Sequence, residues 1–256
     1  MNMSKKILVV SHERAGTHFL INSLACNFGL EFMPRNIPVL SQNAQASAGG
    51  PEDYQKLTAL FLEGLASEAY SPTKEVVFKS HHDIFYYESI PQEFLEENFI
   101  IFYIHREVKD TMNSLWYYFR SNHHQGDFVP TEDPEEFPFY EKPSKHVFDR
   151  DYSYLEANNL VERWKYHHEG WMDSSLPSLK ISYEELHSDF NGSLDQVAGV
   201  LNLDKTSWHR PGLREFVSHS PWRGAIGDWV NLFSEETGGK IDAIVNDENI
   251  SRYNII

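Results

Sequence analysis

Cysteine is nearly missing from this chain. Cys26 is the single one among 256 residues, so no disulfide can form within it, and a reducing compartment is expected. No run of 18 apolar residues occurs, which leaves no stretch long enough for a membrane-spanning helix. The opening "MNMSKKILVV" carries too short an apolar stretch for a signal peptide, and a cytoplasmic protein without an anchor is expected. Positive charge is scarce. Lys and Arg number 22 against 38 Asp and Glu, a net charge of −16, which argues against broad binding to nucleic acid or to an anionic membrane but leaves room for a local basic pocket. Metal-ligand spacing is missing too. The pairs His81-His82, His123-His124 and His167-His168 lack the H-E-x-x-H or Cys/His patterns that hold zinc, so no metal is expected.

One further absence is local. "SHERAGTH", Ser11 to His18, has the outline of a phosphate loop. Against the pattern G-x-x-x-x-G-K-[ST], Ser11 replaces the first glycine and Thr17 replaces the lysine. The basic residue of the loop is Arg14, two positions before Gly16.

What surrounds this loop is an alternation of strands and helices. "KILVV" is continuous and β-branched, as a buried parallel strand should be. After Gly16, residues Phe19, Leu20, Leu24 and Phe28 recur at helical spacing. "NIPVLSQNAQASAGGPED", Asn36 to Asp53, reads as a linker, and "DYQKLTALFLEGLASEAY" as an amphipathic helix. "EVVFKSH" and "NFIIFYIHR" are further strands. Val108, Met112, Leu115 and Phe119 mark a helix after Arg106. Residues 121–153 are expected to form a mobile loop, with a stretch rich in proline, acid and aromatics from Gly126 to Asp151. A helix is expected from Tyr154 to Ser175, then the strand "SLKIS" running into a polar turn, then mostly helix with "SPWRGAIGDWVNLF" irregular. The expected architecture is a single α/β domain over 1–256, with a central parallel β-sheet flanked by helices and a P-loop-like turn.

Ligands of such sheets sit at the carboxyl ends of the strands, and four suggestive stretches fall there. "SHERAGTH" offers helix N-terminal amides and the charge of Arg14 to an anion, although a tight turn that binds nothing reads equally well. "FKSHHD" puts His81 just past a strand end, a fair general-base candidate, while paired histidines are more commonly exposed loop residues. "HREVKDTMNS" closes a strand with Arg106, fit for phosphate or for a structural ion pair. "WRGAIGDW" has two glycines and an arginine that can wrap an anion. The aromatics Trp116 to Phe119 read as core, His167 as a packed helix residue, and Glu132 to Glu136 as a solvated loop or an acceptor lid.

Taken together, these stretches resemble the cytosolic-type sulfotransferase family that uses 3′-phosphoadenosine 5′-phosphosulfate (PAPS) as donor. Its first motif, roughly P-K-S-G-T-T-W, is matched by "ERAGTHF", with Arg14 in the lysine place and Phe19 in the tryptophan place. Its K-[ST]-H is matched by Lys79, Ser80 and His81. Its R-x-x-K-D-x-x-x-S is matched by Arg106, Lys109, Asp110 and Ser114, and its R-K-G-x-x-G-D-W by Arg223, Gly224, Gly227, Asp228 and Trp229. "WKYHHEGW" and "ISYEEL" also resemble family segments. All six stand in the family's order, across roughly residues 6 to 233.

The resemblance implies sulfuryl transfer from PAPS to a hydroxyl or amine of a small acceptor, without metal, and with 3′-phosphoadenosine 5′-phosphate (PAP) as product. It implies His81 as the base and Arg14 and Lys79 as charge stabilisers. Ser114 and Arg106 would hold the 3′-phosphate with Arg223 and Gly224. Ala15, Gly16, Thr17 and His18 would complete the donor loop, Phe19 would stack on adenine, and Tyr183 would lie near the base. Departures bear on this. Arginine cannot release a proton as lysine does, His18 replaces a threonine, and Trp222 stands where an arginine is common. Val230 and Glu235 break the family's dimer motif, so the oligomeric state stays open. Two rivals remain. A small-molecule P-loop kinase needs a lysine directly after Gly16 and an acidic magnesium ligand. A non-catalytic nucleotide-binding relative would have kept the fold and lost turnover.

Overall fold

The run Ile7-Leu8-Val9-Val10 has no exposed surface at all. It carries no polar alternation because both of its faces are covered. In the computed structural model, which describes residues 5–32, 76–88, 90–121, 131–140, 157–204, 207–212 and 224–250, this run is the central strand of a parallel sheet. The strands are β1 (Lys6–Ser11), β2 (Glu31–Phe32), β3 (Val76–Ser80), β4 (Phe99–His105) and β5 (Ser178–Ser182), in the order β2-β3-β1-β4-β5. All neighbouring pairs are parallel. The two-residue β2 had no counterpart among the expected strands, since two residues leave no periodic pattern. The linker over 36–53, the helix expected over 53–70, Trp222 and Arg223, and most of the loop expected over 121–153 lie outside the described residues.

The described helices are α1 (Thr17–Phe28), α2 (Ile84–Glu88), α3 (Gln92–Asn98), α4 (Val108–Ser121), α5 (Leu160–Asp173), α6 (Tyr183–Ser188), α7 (Phe190–Val200) and α8 (Glu235–Val245). No helix among the described residues is long and apolar enough to cross a membrane. Helix α1 ends at Gly29, whose left-handed backbone (φ 68) lets its N–H reach the Ala25 carbonyl, the usual glycine stop. The helix expected from Tyr154 begins instead at Leu160. Asn159 accepts from the Glu162 N–H at 2.9 Å, and the Glu162 carboxylate accepts in return from the Asn159 amide at 2.9 Å. This reciprocal cap fixes the start. Likewise "YEEL" is not a turn. Ser182 caps it through the amides of Glu184 and Glu185, so α6 opens on Tyr183.

One face of the sheet packs Ile7, Val9, Phe102, Ile104 and Ile181 against α1, α6 and α7. On the other face Tyr103 stacks on Trp171 of α5, and α4, α5 and α8 share a second core through Met112, Leu115, Val161, Phe233 and Ile241. Parallel register then does the positioning. His105 pairs with Ser182, so Arg106 and Tyr183 emerge side by side. Val10 pairs with Ser80, so Ser11 and His81 do the same. The carboxyl ends of β1, β3, β4 and β5 thus gather the segments that begin at Ser11, His81, Arg106 and Tyr183.

Gly16 is where these segments meet most closely. Its φ is 97, and a Cβ built there would lie 2.3 Å from a ring carbon of Tyr183, well inside van der Waals contact. Gly16→Ala should therefore destabilise the protein by about 2–5 kcal/mol, summing left-handed strain and overpacking. Denaturant unfolding with unchanged slope checks this. A loss under about 0.5 kcal/mol would mean the ring moves aside freely.

Candidate active site

The loop between β1 and α1 is short and its geometry is constrained. Arg14 is a non-glycine residue with φ 64, a conformation that costs about 1–2 kcal/mol and persists only where neighbours over-determine it. Those neighbours are identifiable. The Ala15 N–H reaches the His12 carbonyl at 3.3 Å. Arg106 Nη1 donates to the Arg14 carbonyl at 3.5 Å. Arg14 Nε donates to Ser114 Oγ at 3.2 Å, and its guanidinium lies 4.9 Å from the centre of the Tyr118 ring. Gly16 then turns the chain into α1, where Thr17 is hydrogen-bonded to Ser11 Oγ.

His81 and His82 are both buried, at 7% and 1% exposure, which corrects the reading of paired histidines as exposed loop residues. The cause is what packs around the end of β3. His82 N–H bonds Ser80 Oγ, and its carbonyl accepts from the Trp171 indole. His81 Nδ1 lies 2.8 Å from the Ser11 carbonyl and 3.2 Å from Ser11 Oγ. Since a carbonyl only accepts, Nδ1 carries the proton and Nε2 is the basic nitrogen. Burial, then Lys79, pushes the His81 imidazole down to about 3. The ring is therefore neutral at neutral pH, as a base must be before it works.

Lys79 lies 3.5 Å from His18 Nε2. Its ammonium is pushed down to about 8 by burial first and then by Arg14. His18 is lowered to about 3 by burial, then by Lys79, His81 and Arg14. Burial also lowers Arg14 from its ordinary value, with Arg106 adding to the effect. Among the described residues neither Arg14 nor Lys79 has a carboxylate partner. Positive groups have been gathered into a poorly solvated place without compensating anions, which is unfavourable unless an anion binds there.

Arg106 sits beside this cluster with its guanidinium 4.6 Å from the Tyr183 ring centre. It donates to the Ala225 carbonyl at 2.7 Å and lies 3.9 Å from Asp110. Its buried Nε has no hydrogen-bond partner among the described residues, an orphaned donor of the kind a phosphate oxygen satisfies. Tyr183 OH donates to the Gly224 carbonyl at 2.6 Å. Asp110 accepts from the amides of Gly227 at 2.7 Å and Trp229 at 3.2 Å. The 224–229 segment is thereby tied to the start of α4. The tie corrects one expectation, because the Gly227 and Trp229 amides are committed to Asp110 rather than offered to an anion. Phe19 packs 6.1 Å from Tyr183 and 6.0 Å from Phe190, and Arg210 lies 5.4 Å above its ring.

The expected residues Arg14, Ala15, Gly16, Thr17, His18, Phe19, Lys79, His81, Arg106, Ser114, Tyr183 and Gly224 therefore form one connected constellation, while Arg223 lies outside the described residues. Not foreseen were Asp110 as the tie to 224–229, Tyr118 under Arg14, and a buried group of His12, Glu13 and Arg163. A carboxylate at Glu13, just past an apolar strand in a tight loop, signals a need for a partner, but no local pattern points to Arg163. His167 is packed in the core, 3% exposed. Glu132 pairs with Arg120 and Glu135 caps Ser234, so the acidic run anchors to α4 and α8. A cavity of about 690 Å³ beside α8, lined by residues such as Glu135, Phe139, Tyr140 and Lys240, shares no residue with the cation cluster. Among the described residues no three His, Cys, Asp or Glu side chains gather as a metal site.

Comparison with known proteins matches a family model described as a sulfotransferase domain over residues 4–220. Flavonol 3-sulfotransferase of Flaveria bidentis is 24% identical over 194 residues, covering 64% of this chain and 59% of that protein, so the chain spans less than two thirds of this relative's length. A mouse sulfotransferase complexed with PAP superposes with a TM-score of 0.58 at 20% identity, over 97% of this chain and 86% of that one. Retinol dehydratase in complex with androsterone and inactive cofactor PAP superposes with a TM-score of 0.56 at 15% identity, over 96% and 81%. At such identities the structures show a shared fold, and the family match spans most of the sequence. The chain belongs to the sulfotransferase family.

Proposed function

We propose that the protein transfers a sulfuryl group from PAPS to a hydroxyl or amine of a small acceptor, in a cytoplasmic setting. The observation that carries this reading is the uncompensated cluster of Arg14 and Lys79 beside His81, whose Nδ1 is tied to the Ser11 carbonyl. Relatives of the same fold are described with PAP bound, one of them with androsterone as well, which supports both the donor and an acceptor of small-molecule size. The kinase rival lacks its lysine, since Thr17 follows Gly16.

In this reading His81 Nε2 takes the acceptor proton as its oxygen or nitrogen attacks sulfur. Arg14 and Lys79 stabilise the charge that grows on the leaving oxygen as the S–O bond breaks. Arg14 remains charged throughout. Its grip on Ser114 and Tyr118 holds that charge still, so stabilisation needs no reorganisation at the moment of transfer. Arg106, through its orphaned Nε, and Ser114 hold the 3′-phosphate, with Arg223 and Gly224 alongside. Phe19 and Tyr183 pack on the adenine, and residues 15–18 enclose the 5′ end.

The test is nucleotide preference. Charge-assisted hydrogen bonds to a 3′-phosphate contribute roughly 1.5 kcal/mol or more each, so two of them should favour PAP over AMP by at least about a hundredfold. Titration calorimetry of both nucleotides decides it. Equal affinities, or tight magnesium-dependent ATP binding, would count against sulfuryl transfer and for a kinase.

His81→Ala should lower turnover by about 10²–10⁴-fold while PAP affinity stays close to wild type. If His82→Ala is the inactive variant instead, the base assignment is off by one residue.

The lowered Lys79 sets a pH dependence. In the free protein its ammonium deprotonates near pH 8, and a bound phosphate would raise that value. PAP affinity should therefore be flat from pH 6.5 to about 7.5 and fall above 8, by at most about tenfold per pH unit for one proton. Lys79→Met should bind PAP more weakly at pH 7 and show no such fall. A wild-type profile flat to pH 9.5 would remove Lys79 from the anion site.

A further inference from the structure

Arg163 lies in α5, 150 residues from the donor loop in sequence, yet its guanidinium is buried against the two residues that precede Arg14. Nη1 donates to His12 Nε2 at 2.9 Å, and Nη2 pairs with the Glu13 carboxylate. An arginine only donates, so His12 Nε2 accepts and its Nδ1 carries the proton. That Nδ1–H lies 2.9 Å from the Glu13 carbonyl. The Glu13 carbonyl belongs to the peptide unit joining Glu13 to Arg14, and the orientation of that unit sets φ of Arg14. On the other side, Arg106 holds the Arg14 carbonyl. The left-handed Arg14 is thus clamped through the peptides on both sides of it.

We propose that Arg163 is a positioning residue for Arg14, acting through His12 and Glu13 to hold the cation that faces the leaving oxygen. The proposal rests on the sulfuryl-transfer reading for what Arg14 does, but not for how it is held. Glu13 stands where the motif P-K-S-G-T-T-W has proline. A proline ring stiffens that position by locking its own φ. Here no ring locks φ, and stiffness comes instead from a guanidinium that grips two adjacent residues at once. Lysine cannot reproduce the grip, because a single ammonium lacks the planar fork that reaches two acceptors in fixed directions.

The experiment compares wild type, Arg163→Lys, and Glu13→Pro combined with Arg163→Met. Arg163→Lys keeps the charge beside Glu13, and the double variant removes both buried charges, so neither strands a carboxylate in the core. In Arg163→Lys, kcat should fall by about a hundredfold, the cost typical of a misplaced catalytic group, while PAP affinity changes by less than about tenfold. In the double variant kcat should recover to within about tenfold of wild type, as the ring takes over from the clamp. Amide hydrogen exchange across Arg14 to Thr17 reads the clamp without donor or acceptor. It should be faster in Arg163→Lys and slow again in the double variant, whether or not the wild-type protein transfers a sulfuryl group. Wild-type kcat and wild-type exchange in Arg163→Lys would overturn the proposal. So would a loss of kcat matched by an equal loss of PAP affinity, or a double variant no faster than Arg163→Lys.

Discussion

Like charges brought together away from water repel, and the repulsion is relieved only by an opposite charge, by loss of a proton or by unfolding. Arg14 and Lys79 are held in that condition, with Arg106 close by, in a chain whose net charge is −16. Acidic residues are plentiful around them but are occupied elsewhere. Glu13 is held by Arg163, and Asp110 accepts from the amides of Gly227 and Trp229. Glu107 accepts from the Asp110 amide, and Glu184 from the Glu107 amide and Ser182. Each carboxylate satisfies a backbone or side-chain donor of the scaffold, and none is spent on Arg14 or Lys79. The positive potential is therefore left for a ligand, and the lowered His18 and His81 follow from burial first and then from the same crowding.

Much of this could be read from the sequence because the relevant signals are local. Ile7 to Val10 form an uninterrupted apolar run, Gly16 ends the loop, and the next apolar residues fall at helical spacing. Val108, Met112, Leu115 and Phe119 likewise mark the buried face of α4, and all four are buried. Where the signal is reciprocal or long-range it fades. The start of α5 depends on Asn159 and Glu162 capping each other inside a stretch that is helix-like by composition. The burial of His82 depends on an indole 89 residues away. The pairing of Glu13 with Arg163 joins a carboxylate whose position calls for a partner to an arginine that no local pattern marks as that partner.

The same distinction separates the site's two halves. Residues 79–81 and the entry to the loop at Ser11 owe their places to strand ends whose register the apolar pattern dictates, while Arg14 within that loop is held by Ser114, Arg106 and the Glu13–Arg163 pair. The 224–229 segment owes its place to Asp110, Arg106 and Tyr183, which reach it through hydrogen bonds that no periodicity announces. A string of glycines suggests amides offered to an anion. In the folded chain the amides of Gly227 and Trp229 are used to fasten the segment down, and the carbonyls of Gly224 and Ala225 face Tyr183 and Arg106.

Tyr183 touches three parts of the site at once: its ring fills the space where a side chain on Gly16 would go, it lies under Arg106, and its hydroxyl holds Gly224. That arrangement has a consequence for how the protein is made. The loop that follows β1 emerges early in synthesis, but the surface it packs against belongs to a residue far along the chain. Arg106 and Ala225 are 119 positions apart, and Glu13 and Arg163 are 150 apart. Contacts with such separation form late, because the intervening chain must first be ordered. A nascent chain ending before β5 has its donor loop with Ser114, Arg106 and Arg163 to hold it, but lacks Tyr183 and the 224–229 segment, so the site is complete only when the fold is. Under the proposed function, tight binding of the nucleotide would then report on finished molecules, which it would stabilise over partly folded ones.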